Sequence, residues 1–163
     1  MAVIELKNKT YKEIVEEYFR DRSTEIFPNS CMDHAHVIIQ QIFTYATDYV
    51  YVFSHNLDSK LWDSEDIIDA VRGAIRRNVR IQFAVQEDHP CAKNLIEMLE
   101  DYGVAVSCNV HPNNKENFIV SDDRMLRYEE RYEQVEALAT ANREDLASVL
   151  RSYFEEDIWS IGA

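Results

Sequence analysis

The chain has 163 residues, of which 46% are hydrophobic and 29% are charged, so it suits one globular domain and not a disordered segment. Its 17 basic and 30 acidic residues give a net charge of −13, which repels the phosphate backbone of nucleic acids. No apolar run reaches the roughly 20 residues of a membrane span. The opening "MAVIELKNKTYKEI" lacks the basic and then apolar stretches of a signal peptide. We therefore expect a cytoplasmic protein that binds no membrane, and the charge disfavours binding to nucleic acid.

Two helices are predicted before the first strand. Thr10 and Glu13 have the spacing of a capping box, and apolar residues follow at helical spacing. Asp33 is expected to cap the second helix. The run Tyr49–Ser54, "YVYVFS", is almost entirely β-branched or aromatic, which predicts a strand buried on both faces.

The middle of the chain alternates helix and strand. Ser64 is expected to open a helix that leads into a strand at Val79–Val85. A further helix ends before Gly103, and Val104–Val110 forms the third strand. Strands separated by single helices form βαβ units, so these three strands should be parallel.

The end of the chain changes to short extended runs with almost no linkers. "NFIVSD", "MLRYEE" and "YEQVEAL" must pair antiparallel, because parallel strands need long crossovers. Asn142 is expected to cap a closing helix with an apolar stripe. The predicted fold class is α/β: a mixed β-sheet of parallel βαβαβ plus an antiparallel hairpin, flanked by helices.

The cysteines and histidines suggest neither disulfides nor a metal. Cys31, Cys91 and Cys108 are widely spaced and fit no disulfide framework. Cys31 lies close to His34 and His36, which could indicate zinc, but residues at a helix start are more often caps or solvated groups. We expect no metal and no cofactor.

One local basic cluster stands out in the acidic chain. It is the segment "RGAIRRNVR", with Arg72, Arg76, Arg77 and Arg80. Three of these arginines fall near a predicted helix end, where cations favour the helix dipole. The cluster is therefore interpreted as helix-end solvation and not as a nucleic-acid site.

Three stretches together resemble the phospholipase D-like (HKD) superfamily, and in particular its single-repeat bacterial members, which include small nucleases. They are "DYVYVFSHNLD", "VRIQFAVQEDHP" and "NFIVSDDRMLRYEE" with the tail that continues to Trp159. The resemblance implies a phospholipase D-like domain at residues 32–163. Residues 1–31 would form an N-terminal strand and helix extension within one compact unit.

The motif of this superfamily is His-x-Lys, four residues, Asp, and then Gly-Ser-x-Asn. Its His attacks phosphorus and its Lys neutralises the phosphoryl oxygens. Aligned on Asp122, the Lys position holds Asn117 and the His position holds Lys115, while Glu129–Tyr132 occupies the Gly-Ser-x-Asn positions. The resemblance therefore implies a degenerate motif. Of the two possibilities, a chain that is not an enzyme is favoured over an active phosphodiesterase.

Other residues could still serve a site. His111 could replace the missing nucleophile, although Pro112 beside it indicates a turn. His55 and Asn56 follow the first parallel strand, where open α/β sheets place ligand loops, but they could also only form a turn. Five residues are the candidate ligand or partner contacts: His55, Asn56, Glu129, Glu130 and Arg131.

The favoured function is a non-catalytic phospholipase D-like protein acting as a protein-interaction or regulatory module, in a bacterial or phage defence, counter-defence or toxin context. One alternative is an active phosphodiesterase or nuclease that uses displaced residues such as His111. The other is an acidic nucleic-acid mimic that inhibits a DNA-binding enzyme.

Two further predictions concern structure. Asp122 should be structural, accepting hydrogen bonds from the following turn or pairing with Lys115 or Arg124. Active single-repeat members pair their motif faces, so the resemblance also implies a homodimer. Its two-fold interface would use the hairpin tyrosines, with Arg127 and Arg131 pairing across the axis with Glu129 and Glu130.

Overall fold

The computed structural model describes residues 9–110, 115–133 and 136–162. These residues form one seven-stranded mixed sheet with helices on both faces, in the order β1-β7-β6-β5-β2-β3-β4. The strands are β1 (Ile26–Asn29), β2 (Tyr49–Ser54), β3 (Arg80–Val85), β4 (Ala105–Ser107), β5 (Asn117–Ser121), β6 (Met125–Glu129) and β7 (Ala137–Thr140).

The helices precede, connect and follow these strands. They are α1 (Tyr11–Arg20), α2 (Met32–Tyr45), α3 (Ser59–Trp62), α4 (Glu65–Arg76), α5 (Lys93–Asp101), α6 (Glu144–Tyr153), a π-helical turn (Phe154–Ile158) and α7 (Trp159–Gly162). Among the described residues, no helix has both the length and the apolar character needed to cross a membrane.

The strand directions confirm the predicted fold class. Strands β2, β3 and β4 are parallel, as the βαβαβ pattern requires. Strand β5 pairs antiparallel with β2 and with β6, and β6 pairs antiparallel with β7. The short runs at the end of the chain therefore extend the parallel half of the sheet on its other side.

The core has one layer on each face of the sheet. Helices α1 to α5 cover one face through side chains such as Ile42, which pack with Phe83 of the sheet. The closing helix and the π-helical turn cover the other face, where Tyr51 stacks on Phe154 with ring centroids 4.7 Å apart. All six residues of β2 are buried, because this strand is central and packs against both layers.

Three of the helix boundaries differ from, or sharpen, the sequence-based expectation. Thr10 caps α1 as predicted, since its hydroxyl accepts the Glu13 N–H at 3.2 Å. Asp33 does not cap α2: Cys31 holds the N-cap position and Asp33 lies in the first turn. Asn142 does not cap α6: Arg143 holds the N-cap position, and the Asn142 amide donates to the Arg22 carbonyl at 3.2 Å, 120 residues away in the chain.

Strand β1 is the element that the sequence pattern did not predict. It lies at one edge of the sheet and pairs antiparallel with β7, with Phe27 opposite Ala139. An edge position tolerates Pro28, which has no N–H for the ladder. Part of the segment expected as an extension is thus a strand of the sheet.

The third parallel strand is shorter than predicted. It ends at Ser107, and Asn109 has a φ of 61°, a left-handed conformation that interrupts the extended chain. For the last strand, Gln134 and Val135 of the predicted run lie outside the described residues.

Candidate functional site

Asn117, which stands at the lysine position of the motif, lies at the start of β5, next to the end of β2. These strands are antiparallel neighbours, with Phe53 opposite Phe118, so the end of one strand meets the start of the other. The His55 N–H donates to the Asn117 Oδ1 at 2.8 Å. Two candidates that are 62 residues apart in the chain are therefore hydrogen-bonded.

A continuous series of hydrogen bonds, here called the polar chain, runs from Asn117 into the sheet. The Asn117 Nδ2 donates to Glu129 Oε1 at 2.8 Å, and Arg127 Nη2 donates to Glu129 Oε2 at 3.2 Å. The Arg127 Nε donates to Asn29 Oδ1 at 2.7 Å, and Asn29 Nδ2 donates to the Cys31 carbonyl at 3.1 Å. The position expected to hold a phosphate-binding lysine is thus occupied by an amide whose oxygen and nitrogen both have partners.

The ion pair in this chain is buried. The Arg127 and Glu129 side chains are each 8% exposed. Burial lowers the pKa of Arg127, while the charge and hydrogen bond of Glu129 oppose that shift. The desolvation cost of a buried ion pair stays low only when its remaining polar atoms also have hydrogen-bond partners. Asn29 and Asn117 supply some of these partners, since Asn29 accepts from Arg127 and Asn117 donates to Glu129.

The His55 ring has contacts at both nitrogens and on one face. Its Nδ1 lies 3.1 Å from Gln86 Oε1, and its Nε2 lies 3.3 Å from Glu87 Oε1. Its ring stacks on Tyr132 with centroids 3.8 Å apart and an interplanar angle of 2°. With both nitrogens and one ring face in contact, His55 forms an ordered wall of the site.

An open cavity of about 240 Å³ lies beside the polar chain. Its lining combines polar and aromatic groups, including Asn56, Asp58, Trp62, Arg127, Glu129 and Tyr132. The structure thus brings together four of the candidates from the sequence: His55, Asn56, Asn117 and Glu129.

The cavity lining does not include Lys115, Glu130 or Arg131. Lys115 is exposed and pairs with Glu133 at 2.5 Å, and the hydrogen bond to Glu133 raises the pKa of Lys115. Glu130 and Arg131 are exposed and line a separate shallow depression with Lys115. His111 lies outside the described residues, so its role as a displaced nucleophile stays a prediction.

Asp122 lies at the opposite end of β5 from the cavity. Its carboxylate accepts the backbone N–H groups of Thr47, Asp48 and Tyr49 at 2.8, 2.9 and 3.1 Å. These are not the predicted partners, because Lys115 pairs with Glu133 and the Nη1 of Arg124 donates to the Ala141 carbonyl. Asp122 therefore fastens the hairpin to the start of β2.

The histidine and arginine clusters have internal roles. His34 stacks on Tyr11 at 3.6 Å, and its Nδ1 accepts the Ser30 N–H. Arg77 Nη2 donates to the carbonyls of Phe43 and Ala46 at the end of α2, so it does more than solvate its own helix end. Within the described ranges, no three His, Cys, Asp or Glu residues are arranged to hold a metal ion.

Sequence reasoning missed three features of the site: Asn29, Tyr132 as the partner of His55, and the inward orientation of Arg127. Arg127 and Glu129 are two residues apart in a strand, so they share one face. That spacing is visible in the sequence, but charged residues are rarely buried, so the pattern predicts a surface position for both.

An apolar depression of about 370 Å³ lies on the face covered by α6. Four of the residues that line it are notably exposed: Ile26, Leu138, Leu146 and Val149. None of the candidates from the sequence lies there.

Comparison with known proteins gives matches in structure but not in sequence. No family model and no curated protein matches the sequence. Nuc from Salmonella typhimurium, a phospholipase D family member, is similar with a TM-score of 0.64 and 15% identity, over 85% of this chain and 96% of its own. NucT from Helicobacter pylori is similar with a TM-score of 0.62 and 14% identity, over 85% of this chain and 100% of its own.

A third similar structure is not described as a phospholipase. TrmBL2, an archaeal chromatin protein whose structure shows a mode of DNA binding, has a TM-score of 0.61 and 13% identity. It covers 98% of this chain, whereas this chain covers 62% of TrmBL2. At such low identities the likeness concerns the fold alone. The chain has the phospholipase D-like fold that the sequence resemblance predicted.

Proposed function

We propose that this chain is a non-catalytic phospholipase D-like protein that acts as a protein-interaction or regulatory module. The observation that carries the proposal is the hydrogen bonding of the Asn117 side chain. Its amide accepts from the His55 backbone and donates to Glu129, so the lysine position of the motif serves the internal structure. Asn117 supplies no cation to neutralise a phosphoryl group.

The charges around the cavity also disfavour a phosphodiester. Glu129 and Asp58 line it with carboxylates, and the guanidinium of Arg127 is already paired with Glu129. Phosphoryl transfer needs donors and cations aimed at the developing charge. An added phosphate would instead share the cavity with two carboxylates.

A role in binding proteins suits the acidic surface better than a role in binding DNA. The net charge of −13 opposes contact with a phosphate backbone. Within the arginine cluster, Arg72 is paired with Asp69 and Arg77 is engaged with a backbone carbonyl. We therefore place the module in a bacterial or phage defence, counter-defence or toxin system as a regulator of another protein, by analogy of size and charge.

The test of this proposal is an assay with several phosphodiesters: a bis-aryl phosphate, double- and single-stranded DNA, and a phosphatidylcholine vesicle. The expected result is no turnover above buffer with any of them. Turnover that disappears in His55→Ala or in His111→Ala would overturn the proposal and assign a nucleophile. Turnover that survives both changes and stays with the protein through repurification would also overturn the proposal.

A further inference from the structure

Arg127 holds an unused hydrogen-bonding edge inside the cavity. A guanidinium has five N–H donors in a fixed fork. Nε and Nη2 bond to Asn29 and Glu129, whereas Nη1 has no hydrogen-bond partner among the described residues. The side chain is only 8% exposed and lines the cavity, so a ligand in the cavity would lie next to the guanidinium.

The charge balance at this edge selects a neutral ligand. The Glu129 carboxylate already matches the Arg127 charge at 3.2 Å, and Asp58 adds a second carboxylate to the lining. A phosphate or carboxylate ligand would lose its hydration and meet two like charges. A carbonyl oxygen can accept from Nη1 without adding charge.

Two further groups could bind a flat polar ring. Asn56 lines the cavity, and its side-chain amide has no hydrogen-bond partner among the described residues, so it can offer both a donor and an acceptor. Asp58 accepts the Lys60 N–H through Oδ1, which leaves Oδ2 to accept from a ligand N–H. A ligand with a carbonyl beside an N–H could therefore accept from the donors of Arg127 and Asn56 and donate to the Asp58 carboxylate.

The size and the walls of the cavity favour a single small ring system. Its volume of about 240 Å³ falls below the roughly 300–1,000 Å³ of pockets for drug-sized ligands. Trp62 and Tyr132 contribute aromatic walls, and Tyr132 is held in place by its stacking on His55. Flat heterocycles stack favourably on such surfaces.

We propose that this cavity binds a small neutral heterocycle with adjacent carbonyl and N–H groups, of the nucleobase class, through Arg127 and Asn56. The inference rests on the proposed function, because a site without phosphoryl-transfer groups leaves the cavity open to another ligand. Such a ligand would sit against Glu129 and Tyr132, which flank the exposed corner at Glu130 and Arg131 in the chain. A ligand bound in the cavity would then change the affinity of any partner that contacts this corner.

The test is a titration of the ¹⁵N-labelled full chain, followed by backbone amide shifts. The probes are uracil and hypoxanthine, with pyrimidine as the ring that lacks carbonyl and N–H groups and uridine 5′-monophosphate as the anionic counterpart. We expect saturable shifts at Asn56, Asn117 and Glu129 with at least one of the two carbonyl-bearing rings. Pyrimidine and the monophosphate should bind about tenfold more weakly or not at all.

Variants then assign the contacts. Asn56→Ala removes a half-buried amide that makes no side-chain hydrogen bond among the described residues, so the protein should fold normally and bind about tenfold more weakly. Arg127→Met should abolish binding; if it does not fold, Asn56→Ala decides the outcome. Arg131→Ala, on the separate depression, is the matched control and should bind as the wild type does.

Three titration results would overturn the inference: no saturable shift with uracil or hypoxanthine at millimolar concentration, equal binding of pyrimidine, or equal or tighter binding of the monophosphate. Unchanged affinity in Asn56→Ala together with shifts elsewhere would also overturn it. These failures are distinct from failure of the proposed function, which is measured by phosphodiester turnover and is independent of whether the cavity binds a base.

Discussion

Asp122 and Asp123 form the turn between β5 and β6 and hold it to two other parts of the molecule. Both have positive φ values, 57° and 55°, which Asp tolerates better than most residues and which a type I′ turn requires. Asp122 binds the backbone before β2, while Asp123 accepts from Arg151 Nη1 at 2.9 Å and from the Tyr49 hydroxyl at 2.6 Å. The turn thus connects both layers of the fold to the sheet.

The first prediction is that Asp122→Asn lowers the free energy of unfolding by about 2–3 kcal/mol, since hydrogen bonds to a charged group are worth about 1.5–3 kcal/mol each. Asn keeps the turn conformation but has one acceptor oxygen in place of two, so it cannot accept all three backbone N–H groups. Urea denaturation measures the change. Asp69→Asn, which removes an exposed pair with Arg72, is the control; an equal effect of both changes would contradict this role of Asp122.

The second prediction concerns the buried pair Arg127 and Glu129. Glu129→Ala leaves the guanidinium buried without its carboxylate and should cost about 3–5 kcal/mol. The double change Arg127→Met with Glu129→Leu should recover most of that loss, because apolar residues of similar size often replace a buried pair at little cost. A double-mutant cycle built from Arg127→Met, Glu129→Leu and the double variant measures the coupling by chemical denaturation. A cost below about 1 kcal/mol, as for a surface pair, would mean that water reaches the pair.

At the scale of single residues, the sequence predicted the role of Asp122 but neither its partners nor the burial of Arg127. The sequence predicted a structural role for Asp122, and in the structure its carboxylate accepts three backbone N–H groups. Its true partners were not predictable, since Thr47 lies 75 residues away in the chain. The inward orientation of Arg127 was also missed, because it depends on Asn29, which belongs to the strand that the pattern did not reveal.

At the scale of elements, Arg77 joins two helices. It follows α4, and its Nη2 donates to the Phe43 carbonyl at 2.7 Å and the Ala46 carbonyl at 2.9 Å. The last carbonyls of a helix have no partner within the helix, so a cation that bonds to them stabilises its end. This contact fixes the end of α2 just before β2 begins.

The third prediction is therefore that Arg77→Ala lowers the free energy of unfolding by about 1–3 kcal/mol through the orphaned carbonyls. Arg76→Ala is the matched control: Arg76 is the neighbouring exposed residue and makes no ion pair among the described residues. Thermal and urea denaturation of both variants give the comparison. If the two variants were equally stable, the arginine cluster would act only by its charge, as the sequence pattern suggests.

The order of the elements was more predictable than their edges. The parallel strands follow from helix-length connections, and the antiparallel strands follow from short ones, so both rules hold without any knowledge of the site. Strand β1 escaped detection because it has four residues, one of them Pro28, and alternates burial over too short a length. Pairing with β7 at the sheet edge, and not intrinsic propensity, makes it a strand.

At the scale of the whole molecule, several tyrosines link stability to alkaline pH. Burial raises the pKa of Tyr11 to about 12 and that of Tyr153 to about 12, and burial together with the Asp123 hydrogen bond raises the pKa of Tyr49. Because the unfolded phenol has a pKa of about 10, these groups stabilise the fold fully below about pH 10.

The fourth prediction follows from the raised pKa values of these tyrosines in the folded protein. The free energy of unfolding should fall as pH rises above about 10, because the unfolded chain releases phenol protons that the folded chain retains. Denaturation at a series of alkaline pH values measures the slope. Tyr49→Phe should make the fall shallower, and an unchanged slope in that variant would remove Tyr49 from the explanation.

The fifth prediction is the homodimer, for which the structure changes the expected contacts. Arg127 and Glu129 are buried and bond to each other, so they cannot pair with a second copy as the sequence suggested. Glu130 and Arg131 remain exposed and can pair across a two-fold axis. Light scattering should give twice the chain mass of 19.1 kDa, and Arg131→Glu should shift it toward the monomer. A wild-type mass of 19.1 kDa would contradict the dimer.

The most direct test of the central claim, that the motif has lost its chemistry, is a single-turnover measurement with bis(p-nitrophenyl) phosphate and the protein in excess. A histidine nucleophile would release one equivalent of p-nitrophenolate as it forms a covalent phosphoryl intermediate, even if later steps were slow. With Asn117 bonded to His55 and Glu129, we predict that absorbance follows the buffer control throughout. Release of one equivalent per substrate, absent in His55→Ala or His111→Ala, would contradict the claim.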